Sequence, residues 1–260
     1  YQCDWSSDVC SYDLWGENMA VIGAMMNAFG GGFFDAQWNP LLTSEGTKAA
    51  FNFYTDLVTK YGQPGAAESG FTECLNAFSQ GQAAMWFDAT SAANSVESPE
   101  MSKVAGKVGY ADAPKEKIRS GWVWAWAFAI PKTTKHVEDA WKFVSWATSK
   151  DYEQLAGSTL GWTRVPDGKR MSTFEIPEYK EATKAYVDQV LFAIENSDPS
   201  NCQAQPSPGP GCQYLGIPEF ADLGAKIGQG MSAAITGGQT ADQAAENSQK
   251  LAQTVADANK

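Results

Sequence analysis

The sequence predicts an α/β protein, because segments with helical spacing of apolar residues alternate along the chain with short strand-like segments. Its 260 residues, 43% of them hydrophobic, are enough for one large domain or two smaller ones with a sizeable core. Only 19% of the residues are charged, which is typical of globular rather than disordered chains. We therefore expect a folded chain of mixed helices and strands.

Local signals place the individual elements. Ser44 is a suitable N-cap, and helical spacing follows it over about 45–60. Further helices are predicted from Thr72 to about Gly81, over 137–148, over about 179–195, and twice in the C-terminal part, where the last helix starts at Thr240 with Gln243 in the capping-box position. Strands are predicted over 83–87, 107–114 and 122–130, and the stretch 196–216, rich in Pro, Gly and Ser, is predicted to be a loop or crossover.

The charge balance narrows the class of partner. There are 19 Lys and Arg against 30 Asp and Glu, for a net charge of −11. A surface this acidic argues against nucleic acid and against anionic lipid as partners. No apolar stretch approaches the length that spans a bilayer, so we also expect no direct membrane insertion.

The cysteines suggest one disulfide. Cys202 and Cys212 bracket QAQPSPGPG, a turn-rich loop whose ends come together easily, and a bond between them would imply an oxidising compartment. The alternative is a pair of unpaired loop thiols. Cys74 lies on a predicted helix and is expected to stay reduced. No Cys or His spacing is typical of zinc, and His136 is the single histidine, so we expect neither a metal site nor a cofactor.

The segment WVWAWAFAI (122–130) contains an unusual run of aromatic residues. As a strand it places Trp122, Trp124 and Trp126 on one face and small residues on the other. A strand buried on both faces explains the alanines well. It explains three alternate indoles poorly, because a buried indole N–H needs a partner. The other interpretation is that one or more of these rings line a cleft and stack on the C–H face of a sugar or polyol.

A second candidate is Asp88 in MWFDAT, at the carboxyl end of a predicted strand, which is where α/β proteins place ligands. A carboxylate there can accept hydrogen bonds from two hydroxyls. The structural alternative is that Asp88 or Thr90 caps the next helix.

A third candidate is the loop GWTRVPDGKR (161–170), which contains Trp162 and Arg164 between Gly and Pro residues. Trp162 either contributes to a site or plugs the end of a helix.

Several motifs occur in a fixed order that matches one family: GENMA, NAFGGGFFD, SEGTKAAFNFYTDL, NAFSQGQAAMWFDAT, WVWAWAFAIP, AWKFVSWATS, GWTRVP and IPEFADLG. With them the chain resembles, over about 15–260, the carbohydrate-type (family 1) extracellular solute-binding proteins of bacterial ABC importers, in the superfamily of maltose-binding protein. MWFDAT, WVWAWAFAIP and IPEF are most similar to the sorbitol/mannitol-binding branch.

The resemblance implies two α/β lobes of the periplasmic-binding-protein type, joined by crossing strands, with the ligand in the cleft between them. By that pattern, 15–123 form the first segment of the second (C-terminal) lobe. Residues 124–205 return to the first (N-terminal) lobe, and 206–260 supply the C-terminal helices of the second lobe. The first lobe is then incomplete in this chain. The cleft positions of the family fall on Glu17, Asn18, Asp88, Trp122 or Trp124 or their strand neighbours, Trp162 and Arg164.

The function that the resemblance implies is capture of a sugar alcohol or small sugar, in the periplasm or at the cell surface, for delivery to the permease subunits of an ABC importer. We expect a monomer that makes and breaks no bond. The alternative is a glycoside hydrolase or another carbohydrate-active enzyme, whose aromatic and acidic residues would be similar in composition. That mechanism needs two carboxylates at a defined separation, and Asp88 has no obvious partner in the sequence.

Residues 1–14 do not resemble any part of the family. Their polar stretch DWSSDVCSYDL resembles the conceptual translation of a common sequencing adapter, with Tyr12 where that translation has Ser. We therefore expect 1–14 to be an assembly artefact outside the fold, fused to a gene that lacks its signal sequence and the first half of the first lobe. The alternative is a genuine divergent segment.

Overall fold

The structure, a computed structural model, describes residues 17–122 and 124–260 together with the backbone of residues 9–10. Within these residues the helices are α1 (Asn18–Ala28), α2 (Glu45–Tyr61), α3 (Phe71–Ser79), α4 (Ala93–Val96), α5 (Val137–Ala147), α6 (Lys150–Leu160), α7 (Pro177–Thr183), α8 (Val187–Glu195), α9 (Phe220–Ile235) and α10 (Ala241–Asn259). Short 3-10 helices cover Ala66–Glu68, Thr90–Ala92, Trp162–Arg164 and Met171–Glu175. Two strands, β1 (Val9–Cys10) and β2 (Met85–Trp86), pair in parallel.

The helix predicted after Ser44 is confirmed as α2. The Ser44 hydroxyl accepts a hydrogen bond from the backbone N–H of Thr47 at 3.3 Å, so one of the unpaired donors of the first turn is satisfied. Phe51, Tyr54 and Val58 then form the buried face of the helix. Local capping and helical spacing therefore account for the position of α2.

A first core lies between α1, α2, α9 and α10. The buried face of α10 consists largely of alanines, which allow a close approach to its neighbours: Ala241, Ala244, Ala245, Ala252 and Ala256. The predicted capping box is confirmed, since the Thr240 hydroxyl accepts from the N–H of Gln243 and the Gln243 side chain accepts from the N–H of Thr240. The C-terminal part of the chain is thus two packed helices, as predicted.

A second core forms around Phe174, Tyr179 and Tyr186, and Ala93 joins it from the earlier part of the chain. The single helix predicted over 179–195 is wrong: α7 ends at Thr183 and α8 begins at Val187. The backbone N–H of Tyr186 instead donates to the carbonyl of Thr183 in a tight turn at 2.9 Å. This turn brings Tyr179 and Tyr186 into the same core.

The strands predicted over 107–114 and 122–130 are wrong for the residues that the structure describes, which have no regular secondary structure there. A strand is stable only when a neighbouring backbone pairs with it. Among the described residues, the pairing between strands is confined to β1 with β2 and one bridge between Phe34 and Pro40. Within 83–87 the predicted strand is confirmed only at Met85–Trp86.

The two described residues of segment 1–14 belong to this pairing, with Val9 opposite Met85 and Cys10 opposite Trp86. The statement that the whole segment lies outside the fold stays a prediction. So does the division of the chain at 123 and 205 between two lobes.

The predicted disulfide is present between Cys202 and Cys212, whose Cα atoms lie 5.4 Å apart. Cys74 is buried and remains a thiol, as expected, and the side-chain amide of Gln63 donates to its Sγ at 3.6 Å. The stretch 196–216 contains no helix or strand, which agrees with the predicted loop.

Large apolar side chains remain uncovered around α5, in which no residue is buried. Trp141, Phe143 and Trp146 are 61%, 56% and 47% exposed. Phe143 contacts Phe128 on one side and Trp146 on the other, so the rings of Phe128, Phe143 and Trp146 form one continuous strip. None of the described helices is both long enough and apolar enough to cross a bilayer.

Candidate functional site

Six aromatic side chains, half-buried except for the 53% exposed Trp124, make up what we call the aromatic wall: Phe71, Trp86, Phe87, Trp122, Trp124 and Tyr214. Three ring contacts connect them, Phe71 with Trp86 at 5.7 Å, Phe87 with Trp122 at 5.8 Å and Trp124 with Tyr214 at 6.1 Å. Trp86 and Phe87 are consecutive residues and Trp122 lies two residues before Trp124, so the three pairs belong to neighbouring stretches of the chain. Rings of this kind offer flat faces to the C–H groups of a carbohydrate.

Glu17 lies beside this wall. Its carboxylate accepts a hydrogen bond from the backbone N–H of Phe71 at 3.0 Å, which connects the start of α1 to the start of α3. Burial raises the pKa of the Tyr214 phenol, and the negative charge of Glu17 raises it further. The charge of Glu17 therefore acts on Tyr214, and the hydrogen bond with Phe71 brings one predicted carboxylate together with a residue of the aromatic wall.

Asn18 is fully buried, with 0% of its surface exposed. Its side-chain amide donates to the carbonyl of Gly228 at 3.1 Å and to the Ser232 hydroxyl at 3.3 Å. Both partners belong to α9. These contacts favour a structural role, the joining of α1 to α9, over ligand contact, and a binding role for Asn18 stays a prediction.

Asp88 follows β2 and is half-buried. One of its carboxylate oxygens accepts from the backbone N–H of Ala89 at 2.6 Å. The next element, the 3-10 helix that starts at Thr90, has no side-chain cap. The N-cap position is Ala89, so both the binding role of Asp88 and its structural alternative, in which Asp88 or Thr90 caps the next helix, stay predictions.

The three tryptophans of 122–130 have different surroundings. Trp122 packs against the first core through Phe87, Trp124 is 53% exposed and contacts Tyr214, and Trp126 is 91% exposed. Trp124 combines an exposed face with fixed aromatic neighbours, which is what a stacking residue requires. Of the three, it fits the cleft interpretation best.

Trp162 lies in the second core, where its ring covers Gly157 of α6. This contact favours the interpretation of Trp162 as a plug at the end of a helix. Arg164 is exposed on the same 3-10 helix. The structure therefore does not bring Trp162 into the aromatic wall, and the binding roles of Trp162 and Arg164 stay predictions.

The loop after Arg164 is held by a buried ion-pair cluster. Glu153, which is 2% exposed, lies 3.0 Å from Lys169 and 3.3 Å from Arg170, and it accepts a hydrogen bond from the Thr173 hydroxyl at 2.9 Å. The two cations offset the buried charge of Glu153 and so hold the loop on α6, although Glu153 Oε1 and Arg170 Nε make no hydrogen bond of good geometry. We therefore assign it a structural role.

The segment after Asp88 meets this loop at a cavity of about 10 Å³. Thr90, Asp167, Tyr179 and Tyr186 are among the residues that line it. Burial raises the pKa of Asp167, while a hydrogen bond with Thr90 acts in the opposite direction. The cavity is too small for a sugar, so it is a packing contact between the two segments.

Sequence reasoning missed Tyr214, Trp86 and Phe87. Trp86 and Phe87 stood in a segment predicted as a buried strand, and their aromatic character was the available signal. Tyr214 lies in a Pro/Gly-rich loop, where no periodicity marks it. Among the described residues, no group of three or more His, Cys, Asp or Glu side chains is placed to hold a metal ion.

The chain is similar in sequence and in structure to solute-binding proteins. The chain is 39% identical over 232 residues to the mannitol-binding protein of Pseudomonas aeruginosa, which corresponds to 88% of this chain and 53% of the relative. It superposes with a TM-score of 0.91 and 41% identity on an ABC transporter solute-binding protein of Agrobacterium vitis S4 crystallised with D-mannitol, covering 95% of this chain and 60% of that one. The chain thus spans about half to three fifths of the length of these relatives.

A more distant likeness shows the fold alone. The maltose-bound MalE3 protein of T. maritima matches with a TM-score of 0.77 at 21% identity, over 96% of this chain and 61% of that one. The predicted fold class, an α/β fold of the maltose-binding-protein type, is therefore confirmed. The profile of the family described as bacterial extracellular solute-binding protein matches residues 8–154, more than half of the chain. On these matches, which agree in fold and in sequence, the chain belongs to the bacterial extracellular solute-binding protein family.

Proposed function

We propose that this chain is part of the substrate-binding component of an ABC importer, and that it captures a sugar alcohol similar to mannitol or sorbitol. The observation that carries the proposal is the juxtaposition of the half-exposed Trp124, Tyr214 and Glu17 in a chain 39% identical to a mannitol-binding protein. An aromatic ring beside a carboxylate suits a polyol, which has both C–H faces and hydroxyls.

The binding step then uses two kinds of contact. The faces of Trp124 and Tyr214 cover the carbon chain of the polyol, and burial of that apolar surface contributes about 25 cal/mol per Å². The carboxylates of Glu17 and Asp88 accept hydrogen bonds from hydroxyls, each worth about 1.5–3 kcal/mol when water is excluded. Closure of the cleft would supply that exclusion.

We further propose that capture takes place in the periplasm or at the cell surface and that a permease subunit receives the ligand. The family is extracellular by description, and the Cys202–Cys212 disulfide fits an oxidising compartment. Monomeric behaviour also stays a proposal.

Binding without turnover is the chemistry we propose. The relatives named above are solute-binding proteins, and the carboxylates of Glu17 and Asp88 each accept a backbone N–H. Incubation with polyols and aryl glycosides, followed by chromatography of the products, tests this point. Release of an aglycone above the level of a Glu17→Ala/Asp88→Ala variant would show that the protein is an enzyme.

The direct test is isothermal titration of D-mannitol, D-sorbitol and ribitol into two proteins. One is the 260-residue chain. The other is a chimera in which residues 17–260 replace the matched 60% of the Agrobacterium vitis protein, so that every part of that fold is present. We expect the chimera to bind at least one polyol more tightly than maltose. Absence of polyol binding by both proteins, with the chimera folded by circular dichroism, would overturn the proposal.

A further inference from the structure

We propose that the Cys202–Cys212 disulfide is a positioning device for the candidate site, because it holds the loop that carries Tyr214 on α1 and so keeps the Tyr214 ring against Trp124. The inference rests on the proposed function in one respect only: a polyol is the ligand that Tyr214 would contact. Its structural part concerns this chain without any ligand.

The loop is attached to α1 next to the disulfide. The side-chain amide of Asn27 donates to the carbonyl of Cys212 at 2.8 Å, and both residues are buried. One residue further on, the backbone of Gln213 touches α1 so closely that a Cβ atom at Gly23 would lie 2.3 Å from its carbonyl oxygen. Residues 212 and 213 therefore lie against the helix, and the disulfide ties this end of the loop to Cys202 at its other end.

The rest of the loop depends on the covalent bond. It contains no helix or strand, and its internal order comes from a few hydrogen bonds, such as those from the Gln203 amide to the carbonyls of Gly209 and Gly211. Contacts of this kind are weak individually. A disulfide that closes a loop with a sequence separation of 10 removes much of the conformational freedom that would otherwise oppose them.

Tyr214 is the residue that benefits from this fixed position. It lies two residues beyond Cys212 and packs between Phe220, at 5.8 Å, and Trp124, at 6.1 Å with the rings 66° apart. Trp124 lies outside any helix or strand and is 53% exposed. A rigid Tyr214 therefore restrains a residue whose own backbone has little regular support.

The consequence for the ligand is preorganisation. Two large rings already at a fixed angle lose little conformational freedom when a polyol binds, so more of the contact free energy remains as affinity. Loss of the disulfide would release Tyr214, and with it Trp124, while the carboxylate of Glu17 would stay attached to the N–H of Phe71.

The ligand-free test is ¹⁹F NMR of the full 260-residue chain labelled with 5-fluorotryptophan at its ten Trp residues. The Trp124 signal is assigned by its loss in Trp124→Phe. We expect Tyr214→Ala to shift this signal, because it removes the neighbouring ring. The double variant Cys202→Ala/Cys212→Ala should shift it too. Combining Tyr214→Ala with the two cysteine substitutions should shift the Trp124 signal little further than Tyr214→Ala alone, since both changes disturb the same contact.

The Trp146 signal is the internal control, because its ring contacts Tyr152 in another part of the chain. Should the double cysteine variant not fold, the native chain reduced with a phosphine takes its place. An unchanged Trp124 signal after loss of the disulfide would overturn the inference. The inference would also be overturned if the shift in the combined variant equalled the sum of the shifts in Tyr214→Ala and in the double cysteine variant.

The ligand arm uses D-mannitol titrated into the same proteins. Loss of the disulfide should weaken binding by at least about fivefold when Tyr214 is present and by much less in Tyr214→Ala. Equal weakening in both backgrounds would mean that the disulfide acts on general stability and would overturn the inference. If the unmodified chain binds no polyol, the same variants are titrated in the chimera. If the chimera binds none either, the proposed function fails, and the NMR result alone decides the inference.

Discussion

The indole ring of Trp162 lies directly on Gly157, so that a Cβ atom at position 157 would be 2.4 Å from a ring carbon. Only a residue without a side chain allows this approach, and the contact ties the 3-10 helix Trp162–Arg164 to α6. Sequence reasoning left Trp162 between a ligand-binding and a packing role. The close contact favours packing.

Gly157→Ala should therefore destabilise the protein. The added methyl group would displace the Trp162 ring, and overpacking of this kind typically costs about 1–3 kcal/mol. Urea unfolding measures the change in the free energy of unfolding. Gly109→Ala is the matched control, because no heavy atom lies within 4 Å of a Cβ at that position. If the two variants unfold alike, Trp162 is not packed as described.

Asn18→Ala separates a structural from a ligand-binding role. It removes the hydrogen bonds to Gly228 and Ser232 and leaves their oxygen atoms buried, which should lower the free energy of unfolding by about 1–3 kcal/mol. Asn52→Ala, on the exposed face of α2, should have little effect on stability. Thermal melts and mannitol titrations are measured in parallel. Unchanged stability with lost affinity would identify Asn18 as a ligand residue instead.

Asp167 should give a pH-dependent contribution to stability. Burial raises its pKa in the folded chain above the ordinary value of 3.8, so the folded state holds the proton more tightly than the unfolded state. The stability that this group contributes is fully present below the unfolded pKa and is lost as the pH rises through the folded pKa.

Asp167→Asn should remove that part of the pH dependence. Relative to the native chain, the variant should therefore be more stabilised at neutral pH than at pH 4. Urea unfolding at both pH values is the measurement. Asp56→Asn, an exposed residue of α2, is the control and should follow the native profile. An Asp167→Asn variant that also follows the native profile would contradict the prediction.

Deletion of residues 1–14 should change the free energy of unfolding by less than about 1 kcal/mol, as expected if the segment is not part of the fold. Among the described residues of this segment, the pairing of β1 with β2 covers only two residues on each strand. Calorimetric melts compare this deletion with a second one that removes residues 1–8 and keeps β1. A loss of several kcal/mol that appears only when β1 is removed would show that the segment packs.

The helices were predictable because their signals are local. Ser44 and Thr240 each cap the helix that follows them, and the apolar faces of α2 and α9 follow the helical period. The wrong strands at 107–114 and 122–130 were inferred from apolar composition, although a strand also depends on a partner that composition does not reveal. Tyr214 could not be found for a similar reason. Its proposed role in ligand binding depends on its position relative to Trp124 and Glu17, and both of these residues are distant from it in sequence.

The candidate site was predictable in part. Glu17 was named from the family resemblance and Trp124 also from the aromatic run at 122–130; Trp124 contacts Tyr214, and the charge of Glu17 acts on the same tyrosine. Asn18 came from the resemblance and Trp162 also from its Gly/Pro-bounded loop, yet one joins two helices and the other covers a glycine. A resemblance transfers positions along the chain, whereas the direction and burial of each side chain come from its neighbours.

The central claim is that Trp124 and Asp88 bind a polyol, and titration of D-mannitol into the chimera tests it most directly. Trp124→Ala and Asp88→Ala should each weaken binding by more than about tenfold, through lost stacking and lost hydrogen bonds respectively. Their melting temperatures should stay close to that of the parent. Tyr61→Ala, an exposed aromatic at the end of α2, is the control and should bind like the parent. Parent-like affinity in both Trp124→Ala and Asp88→Ala would contradict the account.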